Sequence, residues 1–170
     1  EKNIPEEFDL YGRSWNKLIS SNKIINFIYS KLLHPLSFFN IKRTSYRGDI
    51  FDKLKTLSMY KFSICYENAT NYPGYITEKI FHCFFSNVIP VYLGSKNIDK
   101  FIPSNCYINK SKFNTYSDLI FFLKSINENE YQVYLKNIDN FLNSKKSDQF
   151  KSELHSSFVV KKILDLKNIS

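Results

Sequence analysis

The chain has 170 residues, enough for one compact unit with a sizeable core; 43% of them are hydrophobic and 17% aromatic. No apolar run approaches the roughly 18 to 20 residues of a membrane span, so the chain is expected to be soluble. The formal net charge of +8 favours anionic partners such as phosphates, nucleic acid or lipid headgroups, although abundant Lys and Asn make charge a weak guide by itself.

In chain order, "EKNIPEEFDLYG" reads as a linker running into a strand over Phe8 to Gly12, with no signal-peptide pattern ahead of it. Residues Lys17 to Leu33 carry the apolar spacing of a helix, which Pro35 stops. Residues 36 to 48 read as irregular, and Asp49 is the expected N-cap of a helical stretch over "IFDKLKTLSMY". Phe62 to Tyr66 form a short, largely apolar run, the pattern of a strand buried on both faces in a parallel sheet. The turn "NYPG" precedes a helical pattern through Asn87, and "VIPVYLGS" supplies another buried strand closed by Gly94. "CYINKSKF" offers a further short strand. Three helical segments follow, around Tyr116 to Ile126, Glu128 to Leu142 and Ser147 to Leu166, with 143–170 read as a C-terminal helical segment. Strands alternating with helices predict an α/β fold with a mostly parallel sheet.

Ligands bind beyond the carboxyl ends of such strands, where Glu67 and Asn68 stand, just ahead of the next helix. On a helical wheel of residues 75 to 86, Ile76, Thr77, Ile80, Phe81, Cys83, Phe84 and Phe85 cover roughly 200°. Tyr75, Glu78, Lys79, His82 and Ser86 gather on a narrow polar stripe. Tyr75, Glu78 and Lys79 have i, i+3 and i+4 spacing and so are expected on one face of the first turns. A helix N-terminus presents free N–H groups and partial positive charge. Lys79 adds a full charge, Glu78 can accept from a diol, and Tyr75 can stack or donate: the elements of a nucleotide diphosphate cradle. The same spacing also fits a solvated face with a first-turn acid and an adjacent base.

The residues themselves narrow this choice. "YKFSICYENATNYPGYITEKIFHCFFSNVIPVYLG", Tyr60 to Gly94, resembles the signature region of the α-1,3/1,4-fucosyltransferases, glycosyltransferase family 10, with its ordered KF, FEN, Y(I/V)TEK and (I/V)P(I/V) elements. Ile102 to Lys124 continues the likeness more loosely. The resemblance implies a GT-B architecture of two Rossmann-like domains. In it, residues 1–170 form the C-terminal, donor-binding domain, with GDP-fucose as donor substrate and a sugar hydroxyl as acceptor in an α-1,3-type linkage. Carried over by motif position, Asn68, Tyr75, Glu78 and Lys79 contact the donor: Lys79 on the diphosphate, Glu78 and Tyr75 on the nucleoside side, Asn68 nearby. Chemistry is inverting and draws on no bound metal or other cofactor. The family's catalytic base, a carboxylate of the N-terminal acceptor domain, and a phosphate-binding arginine lie upstream of the matched region, so no catalytic residue is assigned here. Of Arg13, Arg43 and Arg47, only Arg47 in "SYRGD" is a candidate for the phosphates, against a surface-loop role.

Glu67 is read chiefly as a structural acceptor and secondarily as a donor contact; His82 is read as satisfied and partly buried. Trp15 reads as core, and His34 and His155 as surface. Cys65, Cys83 and Cys106 lack zinc or CxxC spacing and are expected to be buried free thiols. Few, scattered cysteines favour a bacterial cytosol, with a Golgi lumen as the alternative if an anchor lies upstream. Two rival readings are a GT-B donor domain using another nucleotide sugar and a non-catalytic basic module binding nucleic acid. The second lacks RNP-like, helix-turn-helix or zinc patterns, so no nucleic-acid partner is expected.

Overall fold

The structure, a computed structural model, describes Ile4 and residues 6–12, 44–70 and 72–151. The expected helix over Lys17–Leu33, Trp15, Arg13, Arg43, His34, His155 and the continuation of the last helical segment past residue 151 lie outside the described residues. The sequence reads as one unit; the chain divides into two, Glu1–Asp52 and Lys53–Ser170.

In the first unit, β1 (Leu10–Tyr11) pairs in parallel with β2 (Tyr46–Gly48), Leu10 opposite Tyr46. The strand β2 occupies the last three residues of the stretch expected to be irregular, 36 to 48: its backbone pairs with a segment more than thirty residues away, which local pattern does not reveal. Arg47 lies on β2, with Nε donating to Asp9 Oδ1 at 2.6 Å and Nη1 to the Thr44 carbonyl at 3.1 Å.

The second unit opens with α1 (Lys53–Leu57), a single turn and a half rather than the longer helix read from Asp49. The strand β3 (Phe62–Tyr66) follows, then α2 (Glu78–Phe85), β4 (Ile89–Leu93) and β5 (Ile108–Asn109). The sheet order is β3-β4-β5, all parallel, with Phe62 opposite Ile89 and Tyr66 opposite Leu93. A parallel pair needs a crossover, and α2 supplies the one between β3 and β4. Helices α3 (Tyr116–Ser125) and α4 (Glu128–Leu142) begin with reciprocal capping boxes, Thr115 with Asp118 and Asn127 with Glu130. Both helices start where the sequence places them, at Tyr116 and Glu128. The last expected helix begins instead as a 3₁₀ stretch over Lys145–Phe150.

The central strand β4 divides the core by its two-residue period. Ile89 and Val91 face Ile108 and Leu119 of β5 and α3, while Tyr92 faces Cys65, Ile80, Cys83 and Phe84 toward α2 and α4. Helix α2 buries Ile80, Cys83 and Phe84, an i, i+3, i+4 stripe. Phe81 packs on Phe150 with ring centroids 4.8 Å apart. Two burial expectations fail for geometric reasons. Phe85 stands about 140° round the helix from Ile80 at 3.6 residues per turn and is 62% exposed. Among the described residues β3 pairs on one side only, and Ile64 is 51% exposed, so β4 alone is the strand buried on both faces.

Helix α2 ends in a Schellman arrangement. The Val88 N–H donates to the Cys83 carbonyl at 3.0 Å and the Asn87 N–H to Phe84 at 3.1 Å, with Asn87 at φ +55°. Asn tolerates this left-handed position, and the Asn87 carbonyl accepts from Tyr131 Oη at 3.0 Å, tying the turn to α4.

Candidate functional site

The site lies beyond the carboxyl ends of β3 and β4, where α2 begins. Its local geometry starts with "YPGY": the Tyr75 N–H donates to the Tyr72 carbonyl at 3.2 Å and Gly74 sits at φ +76°. Pro at the second position and left-handed Gly at the third make a type II turn. The Ile76 N–H then donates to the Gly74 carbonyl at 2.9 Å, a three-residue turn centred on Tyr75. Thr77 is the N-cap, in extended conformation (φ −105°, ψ 178°), its hydroxyl accepting from the Lys79 N–H at 3.5 Å.

This corrects the wheel drawn from the sequence. Helix α2 starts at Glu78, so Tyr75 is on the preceding loop and shares no helical stripe with Glu78 and Lys79. Thr77, counted with the apolar arc, is the cap; its residue type just ahead of an acidic first turn was the available signal.

Glu67 explains why the helix begins there. Its buried carboxylate accepts from the Thr77 N–H at 2.8 Å through Oε1 and from Thr77 Oγ1 at 2.7 Å through Oε2. Lys79 Nζ lies 3.6 Å from the same carboxylate. The ammonium donates to the Tyr66 carbonyl at 3.1 Å and to Asn68 Oδ1 at 3.0 Å. Two of its three protons are thus committed to the end of β3, leaving one for the carboxylate or a ligand. With Oδ1 taken, Asn68 can offer a ligand its two amide donors. Glu78 is exposed at the first helical position, where a carboxylate also suits the helix dipole.

Glu67, Asn68 and Lys79 are therefore bound in one knot, with Thr77 as a fourth member that the sequence reading missed. Tyr75, 39% exposed, lies on the loop two residues before Thr77. Arg47 belongs to the first unit, where Asp9 and the Thr44 carbonyl engage it. His82 keeps its place on α2 one turn after Glu78 and is half-buried and partnered, as expected: Lys53 Nζ of α1 donates to its Nδ1 at 2.9 Å, which puts the neutral ring's proton on Nε2.

The second wall is β4 and the turn after it. Tyr92 is 1% exposed; its hydroxyl accepts from the Ser95 N–H at 3.0 Å and donates to the Tyr75 carbonyl at 3.5 Å. Burial pushes this phenol up to about 12, so it keeps its proton and its donor role. Gly94 follows, and a Cβ there would fall 2.6 Å from both Glu67 Cγ and Tyr92 Cζ. Gly94→Ala is expected to cost about 2 kcal/mol by overpacking, read from chemical denaturation. A cost below about 0.5 kcal/mol would mean the two side chains give way freely.

The three cysteines are free and buried. A hydrogen bond with Cys83 and burial push the Cys65 thiol well above its usual range, so it stays protonated. Among the described residues no three His, Cys, Asp or Glu side chains cluster as a metal site would require, and no helix is long and apolar enough to cross a membrane.

The family model for glycosyltransferase family 10 (fucosyltransferase), C-terminal, matches residues 7–161. An α-(1,3)-fucosyltransferase of Helicobacter pylori is 31% identical over 126 residues, covering 71% of this chain and 26% of that protein. A GDP-fucose protein O-fucosyltransferase 3 of Gallus gallus is 32% identical over 137 residues, 79% of this chain and 28% of that one. A solved α1,3-fucosyltransferase with GDP-fucose superposes at TM-score 0.50 and 26% identity, covering 77% of this chain and 39% of that structure. The chain spans between a quarter and two fifths of the length of these proteins. The parallel sheet flanked by helices is the Rossmann-like arrangement expected for the family, and the chain belongs to glycosyltransferase family 10, the fucosyltransferases, as part of their C-terminal region.

Proposed function

We propose that residues 1–170 form the donor-binding domain of an inverting fucosyltransferase, taking GDP-fucose as donor and a glycan hydroxyl, in an α-1,3-type linkage, as acceptor. The observation that carries this reading is the knot of Glu67, Asn68 and Lys79 at the end of β3. It holds an ammonium at the carboxyl end of β3, just ahead of α2, in a chain of this family.

Lys79 and the first free N–H groups of α2 meet the diphosphate, and the Asn68 amide donates nearby. Glu78 accepts from hydroxyls on the nucleoside side, and Tyr75 lays its ring or hydroxyl against the same part. Glu67 touches no donor atom in this reading; it holds Thr77 and balances Lys79. The acceptor hydroxyl, deprotonated by a carboxylate of the N-terminal domain outside this chain, attacks the anomeric carbon and displaces GDP. Positive charge at Lys79 and the helix terminus stabilises the diphosphate as it leaves. By itself this chain binds the donor and transfers little or none of it. Three buried free thiols favour a reducing compartment such as a bacterial cytosol.

Calorimetry with GDP-fucose against a panel of other nucleotide sugars tests the donor. GDP-fucose and GDP are expected to bind, and Glu78→Ala and Tyr75→Ala each to weaken both by about 10-fold. Preference for another base or sugar, or unchanged affinity in both variants, would sink the assignment. Tight RNA or DNA binding with a steep salt dependence, and none of GDP, would move the chain to another class altogether.

A further inference from the structure

The turn after β4 contains two polar side chains that the donor contacts above leave unused. The Gly74 N–H donates to Ser95 Oγ at 2.9 Å and to Asn97 Oδ1 at 2.8 Å, and Ser95 Oγ donates onward to Asn97 Oδ1 at 2.6 Å. Ser95 is 3% exposed, and its own N–H is held by Tyr92 Oη. These bonds grip a loop residue in the left-handed region, at φ +76°, immediately before Tyr75.

The consequence falls on Tyr75. Its N–H is used by the Tyr72 carbonyl and its carbonyl by Tyr92 Oη, so both peptide groups flanking its Cα are fixed, while its side chain stays 39% exposed. A loop of this kind, tied to a central strand through a glycine amide, fixes the direction of the Cα–Cβ bond from which the aromatic ring projects. Left free, a Pro-Gly loop of this length would sample several positions for that ring, and binding would have to order it.

We propose that Ser95 and Asn97 are positioning residues for nucleotide recognition, acting on Tyr75 through the Gly74 amide. This rests on the donor reading above and adds to it a second strand end, β4, as a determinant of how the nucleoside side is held. Neither residue touches the donor. Their contribution is pre-organisation of the loop, and it exists only while Tyr75 is there to be placed.

A double-mutant cycle reads this directly. Asn97→Ala is expected to weaken GDP binding by about 5- to 10-fold in the wild-type background, and by less than about 2-fold in a Tyr75→Ala background. Asn97 is only half-buried, so the variant is expected to fold. Amide exchange at Gly74, followed by NMR in the same variant, is expected to accelerate at least about 5-fold. Equal losses of affinity in both backgrounds, or no loss in either, would overturn the proposal. Unaccelerated Gly74 exchange in a chain that binds GDP would overturn the clamp alone. A wild-type chain that binds no GDP would remove the positioning role by way of the donor reading, with the exchange result then reporting whether the clamp itself exists.

Discussion

Replacing Lys79 by alanine is expected to weaken GDP binding by about 100-fold, the largest loss for any single site residue. A hydrogen bond to a charged group contributes about 1.5 to 3 kcal/mol, and the upper part of that range corresponds to such a factor. The first N–H groups of α2 remain and are worth about 0.3 to 1 kcal/mol toward an anion, so binding should be crippled rather than abolished. Salt should matter too: the wild-type affinity falls as ionic strength rises, and that slope flattens in the variant. Titration calorimetry at two salt concentrations measures both. A loss under about 3-fold would take Lys79 off the phosphates and leave it as a tether for the Tyr66 carbonyl and Asn68.

Truncating Glu67 to alanine should instead unseat the structure, at a cost of about 3 to 4 kcal/mol. The carboxylate side chain is fully buried against solvent and accepts two bonds from Thr77, whose N–H and hydroxyl would both lose their acceptor. Lys79 would lose its balancing charge as well, though its own side chain is 30% exposed and water screens part of that loss. Glu67→Gln keeps one acceptor oxygen and should cost about half as much. The two variants separate a structural role from a ligand contact. With the carboxylate charge gone, the Lys79 ammonium faces no competing anion, so Glu67→Gln is expected to bind GDP at least as well as wild type. If its affinity falls alongside that of Lys79→Ala, Glu67 reaches the donor itself. Denaturant unfolding and calorimetry on the same preparations provide the two readouts.

Much of the second unit was legible from the chain. The strand, helix, strand run over β3, α2 and β4 follows from apolar runs broken by Pro-Gly and Gly-Ser, and α3 and α4 announce themselves by caps four residues long. Periodicity put Glu78 and Lys79 on one stripe and motif order added Asn68 to them; the knot that joins Asn68 to Lys79 appears only in the fold. Tyr75 was placed on the wrong element, since a wheel extends any helix backwards until something stops it. Ser95 and Asn97 escaped notice because nothing about "GSKN" distinguishes a clamp from an ordinary turn.

By itself the sequence determined the alternation of parallel strands with a helix, the starts of the capped helices and the family signature, all set by neighbours within a few residues. Only the tertiary structure decided where α2 begins, which carboxylate balances Lys79, and what holds Tyr75. Each of those depends on a hydrogen bond or ion pair between groups ten or more positions apart, Glu67 with Thr77 and Lys79, Gly74 with Ser95 and Asn97. Such a contact has no local pattern to announce it. It exists because the parallel pairing of β3 with β4 carries their carboxyl ends, and the loops that leave them, to the same edge of the sheet.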